Sequence, residues 1–86
     1  MRVTRGELLD WYVDGDESAV FVDGHVIVLS ALATAIVDLV GEEGADEADV
    51  VSGLVERFGE PEGGAGAMTH QALEDLAERQ VVVLSP

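Results

Sequence analysis

The chain has 86 residues, 48% of them hydrophobic, and sets four arginines and no lysine against eighteen carboxylates, a net charge of −14. That length allows one domain, residues 1–86, with a modest core that buries roughly 60–65% of the unfolded surface. The charge excludes the counterion release that drives DNA affinity and disfavours anionic membranes, and the absence of cysteine excludes disulfides, thiolate zinc sites and cysteine nucleophiles.

The segment Met1 to Glu7 leads into no apolar h-region, so no signal peptide is read and a cytoplasmic setting is expected. Leu8 to Val13 is the first strand candidate, with Trp11, Tyr12 and Val13 as its β-favouring residues. The polar cluster Asp14-Gly15-Asp16-Glu17-Ser18 turns the chain into a second strand, Ala19 to Val22. Asp23-Gly24 then signals a tight hairpin, because a type I′ turn needs positive φ at both central residues. His25-Val26-Ile27-Val28-Leu29 returns antiparallel as a third strand, apolar on both faces. Either both faces are covered, or an edge waits for a partner.

Ser30 is a good N-cap for a helix over Ala31 to Val40, which Gly41 ends. The run Val26 to Val37 is too short to span a bilayer and reads as a strand entering this helix. Asp46 caps a second helix, with Glu47 and Asp49 in its first turn and a stripe of Val50, Val51, Leu54, Val55 and Phe58. Gly53 weakens it by roughly 1 kcal/mol relative to alanine. The Gly-rich run from Gly59 to Gly66 is read as irregular and mobile. A third helix starts between Ala67 and Thr69 and runs to about Arg79, burying Met68, Ala72, Leu73, Leu76 and Ala77. Val81 to Leu84 is a terminal extended piece that either joins the sheet or lies across the core.

No catalytic or metal-binding pattern emerges. His25 and His70 could each act as a base, yet no G-x-S-x-G elbow frames Ser30 or Ser52. Asp14-x-Asp16-x-Ser18 opens like a calcium loop, but Ala19 stands at its sixth position and His25 at its twelfth, so the pattern fails. The glycines at 63, 64 and 66 lack the Lys-Ser/Thr of a phosphate loop. Neither an enzyme nor a cofactor is expected.

The order of elements gives an α+β domain, a three-stranded antiparallel β-meander followed by three helices, winged helix-turn-helix-like in layout. A third helix carrying Glu74, Asp75 and Glu78 with one Arg79 would repel a phosphate backbone. A winged-helix shape that repels nucleic acid suits a peptide or protein partner. An acyl carrier fits poorly, because neither Ser30 nor Ser52 stands in an Asp-Ser-Leu context.

The chain resembles the PqqD-like proteins, the precursor-peptide recognition elements of ribosomal peptide natural-product pathways. The resemblance covers residues 8 to 84 and rests on order and spacing. Leu29-Ser30 stands where the family has Leu-Asn, Glu56-Arg57-Phe58-Gly59 closes the second helix, and Ala72-Leu73-Glu74-Asp75-Leu76 lies in the last. Three departures are noted: Ser30 for Asn, Gln80 where a glycine is common, and the Gly-rich 59–66 loop. The resemblance implies that the leader segment of a precursor peptide adds as a strand to His25, Val26, Ile27, Val28 and Leu29. It would pack against the third helix, where Met68, Gln71, Ala72 and Asp75 recur at helical spacing. Val26 and Val28, or else Ile27, must fill the domain's own core, and Met68 is open to the same reading. The implied partners are the precursor peptide and a modifying enzyme or leader peptidase, with a lasso-peptide pathway favoured over a radical-enzyme one. The alternative is an acidic structural or regulatory domain that forms a homodimer through the same edge strand.

Overall fold

Two tight hairpins shape the first half of the chain. The computed structural model describes all residues, Met1–Pro86. Strands β2 (Asp10–Asp14), β3 (Glu17–Val22) and β4 (His25–Leu29) form one antiparallel sheet in that order. Asp14 pairs with Glu17 across Gly15-Asp16, and Val22 pairs with His25 across Asp23-Gly24. Asp23 and Gly24 have φ of 49° and 77°, the pattern of a type I′ turn, which matches the right-handed twist of its strands. The meander is therefore as the sequence suggests. Its first strand, however, begins at Asp10 rather than Leu8, and its second begins at Glu17.

A second sheet goes beyond the expected architecture. Arg2–Arg5 forms β1, which lies between β5 (Ala45–Asp46) and β6 (Val82–Ser85), antiparallel to both. The terminal Val82–Ser85 segment thus pairs with the start of the chain and leaves the meander alone. Val3, Val81 and Val82 are fully or almost fully buried, which makes this small sheet part of the core rather than an appendage.

Three helices connect the sheets: α1 (Ala31–Val40), α2 (Glu47–Phe58) and α3 (Ala65–Glu78). The core joins Val20, Val22 and Leu29 of the meander to Ile36, Val37 and Val40 of α1, Val50 and Leu54 of α2, and Leu73 and Leu76 of α3. Ser18 Oγ and Thr34 Oγ1, both buried, lie 2.7 Å apart and fasten β3 to α1. Thr34 Oγ1 also donates to the Leu29 carbonyl at 3.4 Å, so both buried hydroxyls have partners. Arg5 donates from Nε to the Val37 carbonyl at 3.1 Å, and its guanidinium lies 4.6 Å over the Trp11 ring.

The helix ends show where sequence reading is good and where it slips. Ser30 Oγ accepts from the Ala33 N–H at 3.2 Å, as an N-cap should. Asp46 occupies the cap position of α2, but its side chain makes no capping bond and lies 3.7 Å from Arg2 instead. Gly53 earns its place by contact, since a Cβ there would stand 2.6 Å from Leu39 Cδ2 at the α1–α2 crossing. α3 begins at Ala65, earlier than expected, because Glu60 Oε1 reaches across the glycine run and accepts from the Ala65 N–H at 3.1 Å. Ala65 and Gly66 are helical, so only the first part of that run is irregular.

The far end of α3 closes in a Schellman motif. The Val81 N–H donates to the Leu76 carbonyl at 2.9 Å and the Gln80 N–H to the Ala77 carbonyl at 3.0 Å. The residue between, Gln80, has φ of 65°, a conformation in which an L side chain crowds its own backbone. Gln80→Gly is therefore expected to stabilise the protein by about 0.5–1 kcal/mol, the αL strain relieved less the extra chain entropy lost by glycine. Urea denaturation checks this; an unchanged or lower midpoint would contradict it.

Candidate functional site

Two strands of the meander combine an open edge with apolar neighbours: β2, where Trp11 and Val13 line a cleft with Ala31, Ala35 and Phe58, and β4. β4 is terminal in its sheet, so one of its edges pairs with no other strand. The two residues closing a two-residue hairpin exchange hydrogen bonds, and bonding then alternates along the strand. From the Val22–His25 pair onward, His25, Ile27 and Leu29 therefore bond to β3. Val26 and Val28 direct their N–H and C=O groups to the free edge. Their side chains point away from the core and are 66% and 71% exposed. Leu29 is buried and Ile27 half-buried on the inner face, while His25 is exposed at the turn. The core residues of this strand are thus Ile27 and Leu29, and Val26 and Val28 contribute nothing to the interior.

The C-terminal end of α3 approaches this edge. A cleft at the hairpin end is lined by Val22, Asp23, His25 and Val26–Val28 on one side and by Glu78, Arg79 and Gln80 on the other. A second cleft brings Met68 of α3 to Leu32, just past the other end of β4, together with Leu54, Val55 and Phe58. The last turn of α3 thus lies near the His25 end of β4, and its first turns lie near Leu32 of α1. Between the clefts the α3 stripe reads Met68, Gln71 and Ala72, Asp75, then Arg79, at spacings of three and four. Met68, at 49% exposure, belongs to this open stripe and not to the buried face; Thr69 takes the buried position beside it. Ile27, Leu32 and Ala72 are half-buried and pack against the core.

The structure therefore brings His25, Val26, Ile27 and Val28 to a cleft whose other wall is Glu78, Arg79 and Gln80, while Leu29 is buried. Met68 lies in the second cleft against α1 and α2, and Gln71, Ala72 and Asp75 share its stripe on α3 without lining the β4 cleft. Sequence reasoning stopped that stripe one turn short. Glu78, Arg79 and Gln80 form the wall nearest the strand, and continuing the Asp75 spacing by three and four residues points to Glu78 and Arg79.

Charge in this region is mostly negative, from Asp23, Asp75 and Glu78. Arg79 is the exception. Arg2 and Arg57 pair with Asp46 and Asp38, and Arg5 is held by the Val37 carbonyl, whereas Arg79 has neither an ion pair nor a side-chain hydrogen bond. His70, on another face of α3, is bracketed by Glu47 Oε1 at 2.8 Å and Glu74 Oε1 at 2.7 Å. The hydrogen bond and charge of Glu47 raise its pKa above the ordinary range, Glu74 adds to this, and partial desolvation opposes it. A raised folded pKa means that the imidazolium's contribution to stability is complete below the unfolded value of about 6.5 and is lost as pH rises through the folded one. His70→Gln is accordingly expected to flatten the fall in melting temperature across neutral pH; an unaltered slope would assign that fall to other groups.

No set of three or more His, Asp or Glu side chains is grouped to hold a metal ion, and no helix is long and apolar enough to cross a membrane. Residues 11–82 match the family model described as Coenzyme PQQ synthesis protein D (PqqD). The chain belongs to the PqqD family. The matched span takes in nearly all of the PqqD meander and the three helices, and it ends at the first residue of β6. β1, the middle strand of the second sheet, lies outside it. Neither curated proteins nor solved structures yield a match to the chain.

Proposed function

We propose that this PqqD-family chain binds the leader segment of a ribosomally made precursor peptide by strand addition at β4. It then presents the peptide to a separate modifying enzyme or leader peptidase. Family membership supports the coarser part of this reading, a non-catalytic, peptide-binding role in the making of peptide natural products. The observation that carries the finer part is the unpaired β4 edge, with the outward backbone groups of Val26 and Val28 beside a cleft walled by Glu78, Arg79 and Gln80. Backbone hydrogen bonds would supply affinity, and alternate leader side chains would meet Ile27, Leu32 and Ala72 on one side and solvent on the other. Met68 suits the far end of such a trough, since its flexible thioether adapts to varied shapes. The full site comprises His25, Val26, Ile27, Val28, Leu29, Met68, Gln71, Ala72 and Asp75, extended here by Arg79. A lasso-peptide pathway, with a leader peptidase and a cyclase, is the favoured setting.

The experiment is a calorimetric titration with leader peptides from precursor genes neighbouring this one. A dissociation constant below about 100 μM, roughly −5.5 kcal/mol, is expected for at least one of them. Failure of all to reach it counts against the proposal. The same edge could instead pair two copies of the chain; sedimentation at several concentrations separates the readings, since a stable dimer would hide β4.

A further inference from the structure

The outer face of the meander is the wrong way round for a surface meant only to meet water. Strand alternation and register place Phe21 between Asp10 and Val26, and Ala19 between Tyr12 and Val28, all on the face turned from the core. An antiparallel sheet with one wetted face normally carries polar residues there. Here Tyr12 is 70% exposed, Phe21, Val26 and Val28 are also exposed, and Tyr12, Ala19, Phe21 and Val26 line a shallow depression. No packing need explains them, because their side chains contribute nothing to the core. A contiguous exposed apolar patch with a tyrosine and a phenylalanine is the composition of a protein interface.

Charge selects the occupant. Asp10 and Asp14 of β2 and Glu17 of β3 share this face and rim the patch. β2, β3 and β4 contain no arginine, and the chain has no lysine. A second copy would bring the same carboxylates against these, on two bodies each of charge −14, so self-association through this face is opposed. We infer that the outer face docks a protein whose contact surface has an apolar centre flanked by lysines and arginines. Resting on the reading above, this partner is the enzyme that receives the leader. Both can bind at once: a leader strand on β4 extends the sheet in its own plane, and Tyr12 stands two strands away from that edge.

The test uses the full chain, its leader peptide and the purified modifying enzymes or peptidase encoded in the same gene cluster. Two double variants are compared, Tyr12→Thr with Phe21→Thr and Asp10→Lys with Asp14→Lys, each first checked for a cooperative melt. Leader affinity is expected to stay within about threefold of the parent, while enzyme affinity falls at least about tenfold in both variants. Enzyme binding to the parent should also weaken about tenfold or more between roughly 50 and 500 mM salt. Enzyme affinity unmoved by both variants, or no binding by any of those enzymes, overturns the inference. A parent dimer that the Tyr12/Phe21 variant dissociates overturns it too, since the face would then serve a second copy. Enzyme binding without leader binding would sink the strand-addition reading and leave this docking face standing.

Discussion

Val28→Pro is expected to leave the domain folded and to weaken leader binding by roughly 2–3 kcal/mol, or about 30- to 150-fold. Proline lacks the N–H that Val28 turns to the open edge, and its ring stands where the neighbouring strand would lie. Edge strands accept proline when the missing N–H faces outward, and the Val28 side chain is exposed, so the cost to stability stays small. Val13→Pro makes the same change on the opposite edge, where register turns the Val13 N–H away from β3. It should alter leader affinity by no more than about threefold. Equal losses in both variants would indicate general loosening of the sheet; no loss at Val28 would mean that the leader does not add here. Ile27→Asp is a poorer probe, because Ile27 packs against the core and a charge there tests folding.

Removing residues 1–5 should have the largest effect on stability. Val3 is fully buried, and burial of a valine contributes about 1.5–3 kcal/mol. β5 and β6 both pair with β1 alone, so its loss also strips their backbone partners, each worth about 0.5–1.5 kcal/mol net. Against a total of roughly 4–13 kcal/mol for a domain of this size, little would remain. The expected result is loss of a cooperative thermal transition, or a melting temperature lower by at least about 15 °C. A cooperative melt within about 5 °C of the parent would show the small sheet to be dispensable. A chain trimmed to the family-matched residues lacks β1, so the same outcome is expected of it.

Local signals made most of the fold legible. Asp23-Gly24 demanded a turn that only one backbone geometry satisfies, and Ser30 with Gly41 marked α1 because caps act on residues three or four positions away. β1 escaped because its evidence is remote. Arg2-Val3-Thr4-Arg5 has one apolar residue, and its partners Ala45–Asp46 and Val82–Ser85 lie far along the chain. The start of α3 escaped for a related reason, since Glu60 caps Ala65 from beyond a run of turn residues. The β4 edge was readable as an apolar strand, but its inward face was not, because Val26, Ile27 and Val28 are all apolar and carry no alternation. Only the hairpin register decides that Ile27 points inward. The wall formed by Arg79 and Gln80 depends on the Schellman turn, whose Gln80 lacks the glycine that would have announced it.

The pairing of Arg2 with Ser85 brings both chain ends to one strand pair, in a different sheet from β4. A fluorophore, a surface anchor or a fused protein attached at either end would therefore leave by the same corner, from a sheet that does not pair with the meander. Immobilised assays and fusions to a partner at either terminus should thus behave alike, which makes this scaffold easy to graft.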